Sequence, residues 1–473
     1  MLILSLAIVV AAEAPRACEQ TARKDRQTVP DQVVPKTDSG AGEQRATGGS
    51  RSISSLALRF SDLAIETGYF TQDSIAANYQ SYAHAVLSAR FRMHANWDAV
   101  AGIRLENWTE YAGGRTSRTR ADYAESFIRF RSAARRVTLG TQTLNWGTMD
   151  VEPPADKMAR LDLSRIVIDD RFRQRRAVPA IRWEEFLNDY GLDIVILPVF
   201  TPSILPRQDG VWYPLNRERG RAIGFEPQPG FATLIRLGSI EDDHVPNGFG
   251  GAGFRIGQDD GGLDWHVTAQ RARRSRPYFA IDPAIQALLP DQISLLDIVR
   301  ARARTETFRV TYPWNNVAGG DLIWVQGNSS WRLEAAWSDG LPLTSRDFSL
   351  TRKTAFDWAV AWEYLTGPGL GRINLQLSGR EVFNDENILD EYQKLSFSGD
   401  LDIYLARQRW RLRLRFLVGL EPRETMLNPE ISRLTEKRGT FFVGFHKFSG
   451  RDGTVGGFFD RNNMLKAGWR TGF

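Results

Sequence analysis

The alternation of apolar and polar residues, repeated through most of the chain, restricts the fold more than any other feature. From Ser52 onward, runs of about ten residues alternate in this way and are separated by Gly, Asp, Asn and Pro. The clearest runs span residues 84–94, 97–106, 356–364, 372–380, 409–418 and 465–473. Because successive side chains of a strand point to opposite faces, each run has one apolar and one polar face. The pattern predicts a protein built from amphipathic strands.

Two all-β architectures fit this alternation, a secreted β-sandwich and a transmembrane antiparallel β-barrel. Three features favour the barrel. Aromatic residues lie at the ends of apolar faces, as expected of the rings at the two membrane interfaces: Trp97, Trp331, Trp337, Trp410 and Trp469. The polar faces carry charges of both signs, as a watery lumen requires. The chain ends on Phe473 in an amphipathic strand, which is the signal read by the barrel-assembly machinery of the bacterial outer membrane.

The number of strands follows from parity. We find about nineteen candidate runs, and single-chain bacterial barrels have an even number of strands, so the sequence predicts 16 or 18. Short connections at 328–329, 367–371 and 406–408 are typical of periplasmic turns, and longer ones at 338–353, 381–394 and 420–437 of extracellular loops. A barrel of this size is wide enough to hold a lumen.

The N-terminal part of the chain differs from the rest. Residues 1–14 have the apolar stretch and small residues of a signal peptide, although no basic residue precedes the stretch. Residues 15–51 are polar and aperiodic, which predicts a disordered periplasmic tail. Residues 52–473 form the predicted outer-membrane barrel, surrounded by outer-membrane lipid and lipopolysaccharide.

Composition excludes several other classes. A single cysteine among 473 residues rules out a disulfide framework and a cysteine-based metal site. The 61 basic residues comprise 8 lysines and 53 arginines. Nucleic-acid binding is not expected, because the arginines alternate with apolar residues that would face lipid. The motifs of serine hydrolases, zinc proteases and P-loop enzymes are absent, so we expect no enzyme activity and no cofactor.

The polar faces supply candidate pore-lining residues. Arg409, Arg411, Arg413 and Arg415 form one column of four cations, and Arg372, Arg380 and Glu363 lie on the same inward phase of other runs. One interpretation is a positive field that attracts anions. The other is a wall ladder whose arginines pair with acids such as Glu363 or Asp402 on neighbouring strands.

The longest interruption of the strand pattern follows the run 137–144. It contains Gly140, Gln142, Asn145, Trp146, Gly147, Asp150, Asp156 and Asp162. In these residues the chain resembles a group of proteobacterial outer-membrane barrels of largely unknown function, related in style to alginate-export porins. The resemblance covers about residues 129–206. It departs from the group where Met158 and Ala159 stand in place of the usual proline and asparagine, and it implies an outer-membrane channel.

A loop of this length in a compact protein is usually functional. Two arrangements remain open: a constriction folded into the lumen, or a solvated extracellular loop whose charges neutralise one another. In the first, basic residues face acidic ones across the opening. The candidate residues for such a constriction are Trp146, Asp150, Asp156, Asp162, Arg171, Arg173 and Arg175, with Arg160, Arg165, Arg176, Asp169 and Asp170 nearby.

The favoured function is therefore a porin-like channel that lets a polar or anionic solute cross the outer membrane. Two alternatives remain. The barrel could be an export conduit for a lipid or polysaccharide that works with an inner-membrane transporter, or a plugged barrel that acts as a surface adhesin. The adhesin would be favoured by exposed aromatic residues in the long loops, such as Trp212, Tyr213, Tyr278 and Phe279.

Overall fold

The fold is taken from a computed structural model of the chain. It describes residues 56–472 except for 73–76, 112–113, 166–167, 170–173, 188, 209, 225–228, 241–244, 260, 288–305, 368–369, 391 and 436–438. The predicted signal peptide, the predicted tail and Phe473 lie outside the described residues. Among the described residues, no helix is both long and apolar enough to cross a membrane.

Eighteen antiparallel strands form one closed barrel, which confirms the upper of the two predicted numbers. The first nine are β1 (Leu56–Phe70), β2 (Tyr79–His94), β3 (Trp97–Tyr111), β4 in two segments (Arg115–Tyr123 and Ser126–Arg131), β5 (Arg135–Gln142), β6 (Val178–Leu187), β7 (Tyr190–Leu197), β8 (Gly251–Gln258) and β9 (Leu263–Arg273). The other nine are β10 (Trp314–Gln326), β11 (Ser329–Thr344), β12 (Leu350–Leu365), β13 (Gly371–Val382), β14 (Lys394–Leu405), β15 (Trp410–Glu421), β16 (Glu424–Thr435), β17 (Gly439–Gly450) and β18 (Met464–Gly472).

The barrel closes where the first strand pairs with the last. Strand β18 lies antiparallel to β1, in a register that places Asp62 opposite Gly472 and Phe70 opposite Met464. The two segments of β4 both pair with β3, which makes them one interrupted strand. Closure leaves the sheet without a free edge, as a strand-built protein in lipid requires.

The outer surface of the barrel is apolar, as the alternation predicts. Its side chains include Val267 at 50% exposure, Ile128 at 47% and Leu333 at 44%. Aromatic residues form a ring at each end of this surface. Trp97, Trp183, Tyr190, Trp324, Trp331 and Trp410 lie at the end with short turns, and Tyr69, Tyr79, Tyr111, Trp337 and Phe383 toward the opposite end. This distribution matches a barrel that spans a bilayer between two interfacial aromatic rings.

The connections differ between the two ends of the barrel. The three short connections predicted from the sequence lie at one end, between β10 and β11, β12 and β13, and β14 and β15. Two of the predicted long loops are wrong. At 338–353, β11 runs to Thr344 and β12 begins at Leu350; at 420–437, β16 occupies Glu424–Thr435 and only two residues separate it from β15. Pro429 and several charges interrupt the alternation within 424–435, so the pattern does not distinguish this strand from a loop. The structure instead places Glu430 and Asn428 on the inward phase of a strand.

The loops at the opposite end have hydrophobic cores of their own. One core joins helix α1 (Pro229–Leu237), helix α2 (Pro283–Gln286) and the short strand pair Tyr278–Ile281 and Phe308–Thr311. A second core packs Trp212 against Phe448, Phe459 and Met464, next to helix α3 (Val455–Phe458). The described parts of these loops therefore pack into a rim around the lumen entrance.

Candidate functional site

Between β5 and β6, the described residues of 143–177 turn into the barrel and cross its lumen; we call them the infolded loop. The first half of this loop is held by strands β11 to β13, and the second half by β1, β3 and β4 on the opposite side of the barrel. Of the two arrangements that the sequence left open, the structure has the infolded one. The motif glycine Gly147 permits the tight path, because a Cβ there would lie 2.3 Å from Cβ of Pro153.

Glu334 on β11 is the main anchor of the first half. Its Oε2 accepts hydrogen bonds from the backbone N–H of Thr148 at 2.8 Å and of Met149 at 3.2 Å, and from the Thr148 hydroxyl at 3.1 Å. Its Oε1 accepts one from the N–H of Ala155 at 2.7 Å. The carboxylate, 3% exposed as a residue, thus satisfies loop donors that would otherwise be buried without partners.

Asp150 lies at the tip of the loop, between three polar side chains of the wall. Its Oδ2 is 3.1 Å from guanidinium nitrogens of both Arg332 and Arg372, and it accepts a hydrogen bond from the amide of Asn374. Glu363 completes the cluster by binding Arg372 at 2.8 Å. Despite these contacts the Asp150 side chain is 47% exposed, so the loop tip faces open space in the lumen.

The second half of the loop enters a dense charge network on β3 and β4. Asp162 lies 2.7 Å from both Arg120 of β4 and Arg176, and these two arginines also bind Glu106 of β3. Asp162 belongs to the loop, outside the spanning strands. Although burial alone would raise the pKa of its carboxyl, Arg176 and Arg120 hold that pKa at about 2. The carboxylate is therefore ionised at neutral pH.

Three further contacts fix the loop against the wall. Trp146 donates from its indole N–H to Asp193 at 2.7 Å. Arg160 binds Asp122 at 3.0 Å, and Arg165 binds Glu66 at 2.5 Å. Within the loop, Asp156 pairs with Arg175 at 2.7 Å. Arg171, Arg173 and Asp170 lie outside the described residues.

The four arginines of the predicted column have different partners in the structure. Arg411 forms two hydrogen bonds of 2.7 Å with Asp402, and Arg413 binds Asp400, so both are paired with acids of β14. Arg415 donates to Asn428 at 3.1 Å and to the carbonyl of Ile168 in the loop at 3.2 Å. Arg409 lies before β15, in a turn, where its side chain bonds the carbonyl of Ala406. Arg409 is therefore not on the ladder.

The ladder thus has the paired form that the sequence left open as an alternative. Cross-strand pairing explains it, because Arg413 stands directly opposite Asp402, with Asp400 two residues along the same strand. Arg380 is likewise paired, at 2.6 Å from Asp357. Arg411 and Arg413 therefore contribute a polar surface with little net charge.

A cavity of about 1030 Å³ opens above the infolded loop, and we call it the outer vestibule. Arginines and apolar residues line it together, including Arg118, Arg120, Arg207, Arg217, Arg219 and Arg461, with Leu205, Pro206, Tyr213 and Tyr312. Glu218 is the acidic residue among its lining groups. Arg120, Arg207 and Arg219 are paired with Asp162, Glu110 and Asp460, so the excess of positive charge comes from Arg118, Arg217 and Arg461, which have no carboxylate partner among the described residues. The vestibule has room for a small organic solute.

Sequence reasoning missed the wall groups that hold the loop. Glu334, Gln270 and Gln376 lie on inward phases of their strands, which the alternation shows, but their partners are 115 to 225 residues away along the chain. The alternation alone cannot distinguish a residue that anchors the loop from any other inward-facing polar residue. Only the folded loop singles these three out.

The similarities to known proteins are structural. No family model and no curated protein matches the chain. Among solved structures, the chain is similar to OmpF of Salmonella typhi in complex with daunomycin (9% identity, 88% of this chain and 97% of that chain, TM-score 0.45). It is also similar to OccAB1 of Acinetobacter baumannii (9%, 87% and 95%, 0.49) and to OccK7 (OpdD) of Pseudomonas aeruginosa (11%, 87% and 98%, 0.43).

The closed antiparallel barrel, its apolar outer face and its two aromatic rings define a transmembrane β-barrel of the bacterial outer membrane. Within that class it is an 18-stranded barrel whose lumen is crossed by one long infolded loop.

Proposed function

We propose that the protein is a porin-like channel through which a polar solute, with anions preferred, crosses the outer membrane passively. The short turns then face the periplasm and the long loops face the outside. The observation that carries this proposal is the exposure of the charged side chains at the tip of the infolded loop. Asp150 is bound by the wall and yet 47% exposed, and Arg372 beside it is 32% exposed. The loop thus narrows a hydrated lumen with charged groups at its edge.

The preference for anions rests on where unbalanced charge lies. Along the wall, Arg411, Arg413 and Arg380 each have a carboxylate partner. In the outer vestibule, Arg118, Arg217 and Arg461 have no carboxylate partner among the described residues. Because a cleft lined by one sign of charge concentrates the opposite ion, the vestibule attracts anions toward the constriction.

The adhesin alternative receives no support from the loop aromatics. Trp212 and Tyr213 are 3% and 4% exposed, and Phe279 packs against the core that contains Tyr213. Trp212 and Tyr213 therefore stabilise the loops and offer almost no aromatic surface to a partner.

Recording currents from the purified protein in planar bilayers tests the proposal. We expect discrete single-channel steps, and at low salt a reversal potential that shows anion preference. That preference should weaken as salt rises, because the Debye length is only about 3 Å at 1 M. A correctly folded barrel that carries no current, or that prefers cations at low salt, would contradict the proposal.

A further inference from the structure

A small, strongly basic pocket lies between the infolded loop and the wall formed by β12 to β14; we call it the cationic pocket. Its cavity measures about 100 Å³. Five basic side chains line it: Lys157, Arg274, Arg276, Arg380 and Lys394. The acidic groups are Glu152, Asp357 and Asp156, of which Asp156 is bound by Arg175 at 2.7 Å.

The pocket's acids do not balance its cations. Asp357 is shared by two of them, with Lys157 at 3.0 Å and Arg380 at 2.6 Å. Glu152 lies 3.5 Å from Arg276, and both side chains are well exposed, at 51% and 39%. An exposed pair at this distance is weak.

Arg274 and Lys394 are the two cations of the pocket that have no carboxylate partner among the described residues. Within the described part of the chain, no carboxylate pairs with either side chain, and neither guanidinium nor ammonium donates a hydrogen bond to a protein group. Arg274 follows β9 directly, outside the spanning strand. Burial, together with the nearby charges of Arg380 and Arg276, lowers the pKa of Arg274 to about 10. The guanidinium is still charged at neutral pH, among other cations.

We propose that the cationic pocket binds one oxyanion group of the solute, a carboxylate or a phosphate, between Arg274 and Lys394. A guanidinium presents two parallel N–H donors that match either group, and an ammonium adds a point charge. The hydroxyls of Ser378 and Ser396 line the same cavity and can donate to the remaining oxygens. An anion there would relieve the repulsion among the five cations.

The cavity volume limits what enters. About 100 Å³ is well below the 300 to 1,000 Å³ of pockets that enclose a whole small molecule. The pocket therefore takes the charged group alone, while the rest of the solute stays in the lumen beside the infolded loop. The role of this site in transport rests on the proposed channel function, but binding does not.

Calorimetric titration of the detergent-folded protein tests binding without any current. Sodium succinate and sodium phosphate serve as probes, with sodium chloride at equal ionic strength as the ionic control and glycerol as the neutral one. We expect saturable heat from at least one oxyanion and none from the controls. The probe that binds distinguishes a carboxylate from a phosphate site.

Variants then locate the site. Arg274→Gln and Lys394→Gln should each weaken binding about tenfold or more, since each removes a charged hydrogen-bond donor. Arg274→Lys should restore part of the loss. Arg433→Gln serves as the matched control, because Arg433 is exposed and lies next to Trp410 in the short-turn ring. Heat-dependent gel migration confirms that each variant is folded.

The outcomes separate this inference from the channel proposal. Equal affinity in wild type, Arg274→Gln and Lys394→Gln, or no oxyanion binding at all, overturns the pocket even if the protein conducts. Binding that depends on Arg274 in a protein without current supports the pocket and refutes the channel.

Discussion

Replacing Glu334 with glutamine is expected to loosen the infolded loop. The carboxylate accepts four hydrogen bonds from the loop, three of them from the backbone N–H groups of Thr148, Met149 and Ala155. Glutamine has nearly the same shape but offers only one acceptor oxygen. Its NH₂ group must therefore face an N–H donor of the loop, on one side or the other.

The magnitude follows from these bonds. A hydrogen bond to a charged acceptor contributes about 1.5 to 3 kcal/mol, and a buried donor without a partner costs about 1 to 3 kcal/mol. Because such terms are not additive, we expect Glu334→Gln to weaken docking of the loop by about 3 kcal/mol in total. At about 1.4 kcal/mol per factor of ten, the undocked population rises about 100-fold.

Single-channel recording and amide hydrogen exchange measure the effect. The variant should show larger current fluctuations or a higher mean conductance, and faster exchange in residues 148–155. Asp402→Asn is the matched control, since Asp402 is buried in the wall and paired with Arg411 and contacts no residue of the described loop. If Glu334→Gln leaves both current and exchange unchanged, or if Asp402→Asn reproduces its effects, Glu334 does not hold the loop.

Three further outcomes are expected. Replacing both Arg411 and Arg413 with glutamine leaves Asp402 and Asp400 without their cationic partners, so the reversal potential at 0.1 M salt should shift toward cation preference. An unchanged reversal potential would show that these ion pairs lie off the ion path. Burial raises the pKa of Asp390 to about 6. Because the folded loop favours the protonated carboxyl, protection of this loop from hydrogen exchange should be greatest below pH 4 and fall as pH rises through 6. Asp390→Asn should remove that pH dependence. Val267→Arg places a charge on the lipid-facing surface at a cost of about 2 to 4 kcal/mol near the midplane, so the folded fraction on gels should fall, whereas normal assembly would place Val267 outside the bilayer.

The barrel was predictable because each strand carries its own evidence. Because side chains alternate between the two faces of a strand, the pattern of each strand shows which face contacts lipid. The aromatic residues show where the strand leaves the hydrocarbon layer of the membrane. Trp97, Trp331 and Trp410 are predicted at strand ends and are found in the ring at the short-turn end. The prediction failed at 420–437, where a strand containing Pro429 and several charges carries too little alternation to be distinguished from a loop.

The position of the infolded loop could not be predicted in the same way. Its length and its mixture of charges fit a lumen and open solvent equally well. The choice depends on partners such as Glu334 and Glu66, which lie on strands far away in sequence. The sequence left the arginine column open for a related reason, since only the strand register shows which aspartates lie within reach of Arg411 and Arg413.

These pairings change where selectivity must come from. A wall arginine with a carboxylate partner presents almost no net field to a passing ion, because the two opposite charges lie within about 3 Å of each other. A net field needs cations whose countercharge is missing, and in the described chain these include Arg118, Arg217 and Arg461 of the outer vestibule and two cations beside the infolded loop. Arg274 and Lys394 are of this kind, and they lie next to Lys157 of the loop itself. Removing the loop would therefore widen the lumen and also take away one side of the cationic pocket, so conductance should rise and anion preference should fall together.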